Sequence, residues 1–182
     1  MNRLMLFAAT MVMGTVSLSP LARADDFNGP YAGVQAGFGV VKFDGSVLAG
    51  PVDDVYNSGT LGGLVGFRSQ LTDNSPIVLG IEADLDFYTN GSDWRYGAYG
   101  LAGFRTGDKG LLFGRVGYAK LSSGLSDTLD GMVYGAGYEH IIGNMARVRL
   151  DYRYLNYGDT TATDNSVAYG GHEGKVAFIV NF

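Results

Sequence analysis

The chain has 182 residues, no cysteine, and 18 acidic against 13 basic side chains, for a formal charge of −5. That balance argues against nucleic-acid binding, and the missing cysteines rule out a disulfide framework or a lipid-modified cysteine anchor. Its 29 glycines point to tight turns and close strand packing, while 12 tyrosines and 10 phenylalanines argue against disorder.

In chain order, residues 1–24 read as a secretory leader. Asn2 and Arg3 precede a mostly apolar run from Leu4 to Leu18, and Ala22-Arg23-Ala24 supplies the small-x-small cleavage pattern before Asp25. The apolar run is too short to span a membrane comfortably, and no later segment has 18 consecutive apolar residues. The expected division is therefore a signal peptide, 1–24, and one exported domain, 25–182.

Eight segments of that domain alternate with period two, as strands that are apolar on one face do. In the first, Tyr31 to Val41, Ala32, Val34, Ala36, Phe38 and Val40 oppose Gly33, Gln35, Gly37 and Gly39. The second, Thr60 to Ser69, sets Leu61, Val65 and Phe67 against Gly62, Gly66 and Arg68. The third, Ile77 to Tyr88, alternates Leu79, Ile81, Ala83, Leu85 and Phe87 with Gly80, Glu82, Asp84 and Asp86. The fourth, Trp94 to Thr106, places Tyr96, Ala98, Ala102 and Phe104 opposite Arg95, Gly97, Tyr99, Gly103 and Arg105. The fifth, Leu111 to Leu121, carries Arg115 on its polar face, and the sixth, Met132 to Ile141, carries Glu139. The seventh, Ala146 to Tyr157, alternates Val148, Leu150, Tyr152 and Tyr154 with Arg147, Arg149, Asp151 and Arg153. The eighth starts near Tyr169 and ends in Val176, Phe178, Val180 and Phe182, with Glu173 and Lys175 on the other face.

The connections alternate as well. Short turns fall at Gln70–Ser75, Gly107–Gly110 and Ile142–Asn144. Longer loops are expected at Lys42–Gly59, Ser122–Gly131 and Gly158–Ala168, with a shorter one at Thr89–Asp93. Short turns at one end and long loops at the other, with an even strand number, predict an all-β fold. It is an eight-stranded antiparallel up-and-down transmembrane β-barrel. Closure satisfies every backbone polar group in lipid.

The stretch Gly131 to Gly158 resembles the small eight-stranded outer-membrane β-barrel family, which includes porin-like surface antigens, opacity-type proteins and the OmpA membrane domain. Gly135-Ala136-Gly137-Tyr138-Glu139, the Asn144 turn and Leu150-Asp151-Tyr152-Arg153-Tyr154 carry the likeness, with Tyr31-Ala32-Gly33 and terminal Phe182 in support. The resemblance implies a place in the Gram-negative outer membrane, contact with its lipid and lipopolysaccharide, and a terminal strand (Phe178, Val180, Phe182) read by the barrel-assembly machinery. It also implies a structural role as a surface antigen supporting envelope integrity, with loops free to meet a host surface. Because one scaffold hosts many roles, it is specific for architecture alone. A narrow porin-like channel and a loop-mediated adhesin are the alternatives.

The candidate functional residues are the inward charges: Arg68, Glu82, Asp84, Asp86, Arg95, Arg105, Arg115, Glu139, Arg147, Arg149, Asp151, Arg153, Glu173 and Lys175. Hairpin counting places Glu139 beside Arg147 or Arg149, and Asp86 near Arg95. A lumen filled by ion pairs is one reading; a polar path gated by their rearrangement is the other. His140 and His172 have outward parity and lack a serine at alternate-strand spacing, so no catalytic residue is assigned. The glycine clusters lack a phosphate-loop lysine, and Asp53, Asp54, Asp159 and Asp164 lack the spacing of a formed cation site. No cofactor or metal is expected. Phe67, Phe104, Tyr138 and Phe182, and at the other end Phe38, Phe87, Tyr96 and Tyr154, read as two interfacial girdles.

Overall fold

The computed structural model describes residues 27–47, 50–72, 75–89, 93–122, 128–157 and 167–182. They form eight strands: β1 (Gly29–Val47), β2 (Gly50–Gln70), β3 (Ile77–Tyr88), β4 (Trp94–Thr106), β5 (Gly110–Ser122), β6 (Thr128–Ile141), β7 (Ala146–Tyr157) and β8 (Val167–Asn181). Each pairs antiparallel with its sequence neighbours, and β8 returns to β1, so the sheet is a closed barrel.

The strand register sets the width of the interior. Following the pairing once around from Gly33, through Leu64, Asp84, Gly97, Ala119, Gly131, Tyr157 and Tyr169, leads back to β1 at Phe43, ten residues beyond the start. With ordinary strand spacings, eight strands and that stagger give a tilt of roughly 40° and a backbone diameter near ~16 Å. A lumen of that size is filled by side chains.

Alternation in the sequence becomes alternation in exposure. On β3, Val78, Glu82, Asp84 and Asp86 are buried, while Leu79, Ile81, Leu85 and Phe87 are exposed. On β7, Arg147, Arg149, Asp151, Arg153 and Leu155 are buried, and Leu150, Tyr152 and Tyr154 are exposed. Polarity is thus inverted relative to a water-soluble fold, as a lipid-facing barrel requires. The apolar part of the interior lies mainly on β4 to β7: Leu101, Leu111, Phe113, Ala119, Val133, Ile141 and Leu155 pack in one cluster.

All eight strands begin or end within about two residues of the sequence expectation at the turn end of the barrel. The other end differs. Residues 42–47 and 50–59, expected within a loop, continue β1 and β2, paired from Val41↔Tyr56 to Val47↔Gly50. These strands run 19 and 21 residues, against 12 to 14 for β3 to β7. Likewise β6 already starts at Thr128 and β8 at Val167. Gly45, Gly50, Pro51, Asp53 and Asp54 are turn-forming types. Beyond the bilayer, lipid no longer enforces an apolar face, so pairing continues there without its sequence signature. Pro51 is tolerated because β2 pairs with β3 only from Thr60 onward, leaving residue 51 on an edge.

Candidate functional site

Two combs of charge face each other. Residues two apart on a strand share a face, so β3 directs Glu82, Asp84 and Asp86 into the lumen and β7 directs Arg147, Arg149, Asp151 and Arg153. In an eight-stranded barrel, β3 and β7 lie on opposite walls. Arg149 Nη1 reaches Glu82 Oε2 at 2.6 Å, and Arg153 pairs with Asp84 and lies 3.8 Å from Asp86.

Neighbouring strands extend the network in both directions. Arg115 on β5 bridges Glu82 (2.9 Å) and Asp151 (2.8 Å), and Asp151 also accepts from Arg153 Nε at 3.0 Å. Towards the turn end, Glu139 on β6 takes Arg68 (2.9 Å), Arg149 Nε (3.0 Å) and, at 3.6 Å, Arg147. Towards the loop end, Arg95 pairs with Asp86 (2.6 Å) and Glu173 (2.8 Å), and Lys175 with Asp86 (2.7 Å) and Glu173 (3.8 Å). Among the described residues this links Arg68, Arg95, Arg115, Arg147, Arg149, Arg153 and Lys175 with six carboxylates, leaving one cation in excess.

Neutral groups add to the coordination. Gln35 Nε2 donates to Asp86 (2.8 Å) and Asp84 (3.3 Å), while its Oε1 accepts from Arg153 (3.1 Å). Three hydroxyls donate to carboxylates: Tyr31 to Glu82 (2.8 Å), Tyr99 to Asp84 (2.9 Å) and Tyr88 to Glu173 (3.0 Å). Lys175 donates to Thr60 (3.2 Å). Aromatic faces carry the guanidinium planes: Arg68 lies 4.0 Å from the Tyr31 centroid, Arg149 4.9 Å from Phe113, and Arg115 5.3 Å from Tyr99. Isolated charges in so buried an interior are costly, and multiple pairing offsets that cost.

Thirteen of the fourteen inward charges read from the sequence join this network. The fourteenth, Arg105, is half-buried at the turn end of β4, where its backbone N–H bonds Pro76, and the ion pairs above do not include it. Register gives Glu139↔Arg149 and Asp86↔Arg95 as direct cross-strand pairs. Missing from the sequence reading of the network are Tyr31, Gln35, Thr60, Tyr88, Tyr99 and Asn181. Inward parity is the signal available for them, Gln35 and Tyr99 included, but a neutral polar side chain does not by itself mark an ion-pair network. Phe27, fully buried, precedes the alternating segments and gave no signal at all.

The outward candidates are placed as follows. His140 and His172 each meet a tyrosine hydroxyl through Nδ1: Tyr138 at 3.4 Å and Tyr152 at 2.6 Å. His172 also packs on Tyr154, ring centroids 5.2 Å apart. Phe178 and Phe182 are exposed on the lipid side, and the terminal strand pairs with β1 from Tyr31↔Asn181 onward. Asp53 and Asp54 lie in β2 rather than in a loop, whereas Asp159 and Asp164 fall outside the described residues.

Fold and lumen together define a transmembrane β-barrel of small size, apolar outside and filled inside by paired charge. The sequence matches the outer membrane protein beta-barrel domain over residues 8–182, and the chain belongs to that family and to the outer membrane. It is 33% identical to a 22 kDa outer membrane protein of Rhizobium leguminosarum bv. viciae over 139 residues, 64% of this chain. That match spans 65% of the relative's length. Among solved structures, Neisserial surface protein A (NspA) is similar with a TM-score of 0.52 at 16% identity, covering 85% of this chain and 99% of NspA. The attachment invasion locus protein Ail of Yersinia pestis gives 0.45 at 15% identity, covering 84% and 99%. At 16% identity the likeness to NspA speaks for the fold alone.

Proposed function

We propose that this protein is a structural, closed-lumen barrel that supports the outer membrane and presents a surface antigen. One observation carries the reading: the lumen is occupied by side chains paired with one another, and Arg95, Arg149 and Arg153 have 0% exposure. A water-filled path would leave such groups accessible. The long β1–β2 hairpin supports the surface role, since its pairing continues well past the last β2–β3 pair, Thr60↔Tyr88. Lipopolysaccharide, the barrel-assembly machinery and a host surface are the partners this reading entails. Neither His140 nor His172 is assigned a reaction.

Purified protein in planar bilayers tests the proposal. The expected record is silent, and discrete, reproducible conductance steps would replace this reading with the narrow channel. A deletion strain is expected to gain detergent sensitivity, restored by the wild-type gene. For the adhesin alternative, removal of residues 47–57 would lower host-surface binding while the barrel still assembled. Residues 1–26 lie outside the described residues. The proposed cleavage after Ala24 predicts a mature protein whose first residue is Asp25, checked by intact mass.

A further inference from the structure

Phe27 stands two residues before β1, outside the strand pairing of the barrel, yet its ring has no exposed surface. The ring lies between Arg68 of β2 and Arg147 of β7, with guanidinium carbons 5.8 and 4.9 Å from its centroid. It belongs to the same buried cluster as Val78, Leu101, Leu111 and Ile141. A desolvated cation over an aromatic face is a favourable contact, and here one ring serves two cations.

The backbone is shaped to bring it there. Gly29 has φ of +96°, a conformation L residues rarely adopt, and a Cβ at that position would lie 3.3 Å from the Phe182 carbonyl oxygen. The last strand holds the same segment. Asn181 Nδ2 donates to the Asn28 carbonyl at 2.8 Å, while its Oδ1 accepts from Arg147. The Phe182 N–H donates to the Pro30 carbonyl at 3.0 Å. Arg68, Glu139 and Arg147, the charges at this end of the network, are all buried.

We propose that Phe27 is a built-in stopper at the turn end of the barrel, which excludes water from the charges there. Closure of the mouth then depends on a residue outside the barrel strands, delivered by the turn at Gly29.

Arginine labelling with phenylglyoxal, read residue by residue by peptide mass spectrometry on refolded protein in detergent micelles, tests this. In wild type, Arg68, Arg147 and Arg153 are expected to be protected. In Phe27→Ala, Arg68 and Arg147 react roughly tenfold faster or more, while Arg153, deeper in the lumen, stays protected. Phe27→Leu keeps apolar bulk without the flat ring and gives a smaller rise in the same two residues, which serves if the alanine variant fails to assemble. The proposal falls if Arg68 and Arg147 are already reactive in wild type, if neither variant raises their labelling, or if Arg153 rises equally. Bilayer silence is a separate readout, because the Glu82–Arg115–Arg149 level still fills the lumen in these variants.

Discussion

Arg149 and Glu82 meet at 2.6 Å across the full width of the barrel, 67 positions apart in the chain and on strands that are not neighbours in the sheet. Glu82 also pairs with Arg115 at 2.9 Å and accepts from Tyr31 at 2.8 Å. One carboxylate therefore ties β3 to β5, β7 and β1.

Removing that carboxylate is expected to be severe. Glu82→Ala leaves two buried guanidiniums short of a counter-charge, a loss of about 3–5 kcal/mol. The midpoint of the heat-induced gel-mobility shift should fall markedly. A midpoint within error of wild type would mean that water already solvates this level of the lumen.

The phenol on Asp84 gives a graded test. Tyr99→Phe keeps the ring beside Arg115 and Arg153 but removes the 2.9 Å hydrogen bond to Asp84. Loss of a hydrogen bond to a charged group costs about 1.5–3 kcal/mol. Urea unfolding in lipid vesicles should register that cost without change in the assembled fraction at zero urea.

Glycines on the two faces are expected to behave oppositely. A Cβ on Gly117, which faces the lumen, would come within 2.1 Å of the Ala98 carbonyl oxygen; one on Gly114, which faces lipid, meets nothing nearer than 3.8 Å. Gly117→Ala should cost about 1–3 kcal/mol through overpacking against backbone, and Gly114→Ala should be close to neutral. Equal effects in a refolding titration would contradict the assigned strand faces.

A charge on the lipid side should cost in proportion to depth. Leu150, 58% exposed and paired with Tyr138 and Val176, is such a position. Leu150→Arg should lose about 2–4 kcal/mol in a bilayer, measured by unfolding in vesicles. A water-exposed leucine would show almost no penalty.

The terminal strand closes the barrel against β1, from Tyr31↔Asn181 to Gly45↔Val167. Deletion of Phe182 should reduce the heat-modifiable, outer-membrane fraction in cells. If that fraction is unchanged, the Phe178, Val180 and Phe182 face is not what the assembly machinery reads.

Much of this was legible in the chain. The faces of β3 and β7 follow from strict alternation, because lipid outside and charge inside leave no ambiguity about which residues point where. Hairpin neighbours such as Asp86 and Arg95 follow too, since a short chain distance fixes their register. The extended β1–β2 hairpin was not legible, for it lies beyond the region where lipid imposes a pattern.

By itself, then, the sequence determined the architecture, the membrane and the list of inward charges, all of which rest on period two and local pairing. Which charges meet across the lumen was decided only by the tertiary structure. Contacts such as Arg149 with Glu82 or Arg153 with Asp84 depend on the ten-residue stagger accumulated around the closed barrel. No single hairpin carries that quantity. The burial of Phe27 was likewise decided there, because a ring outside every strand finds its place only once the mouth it fills has formed.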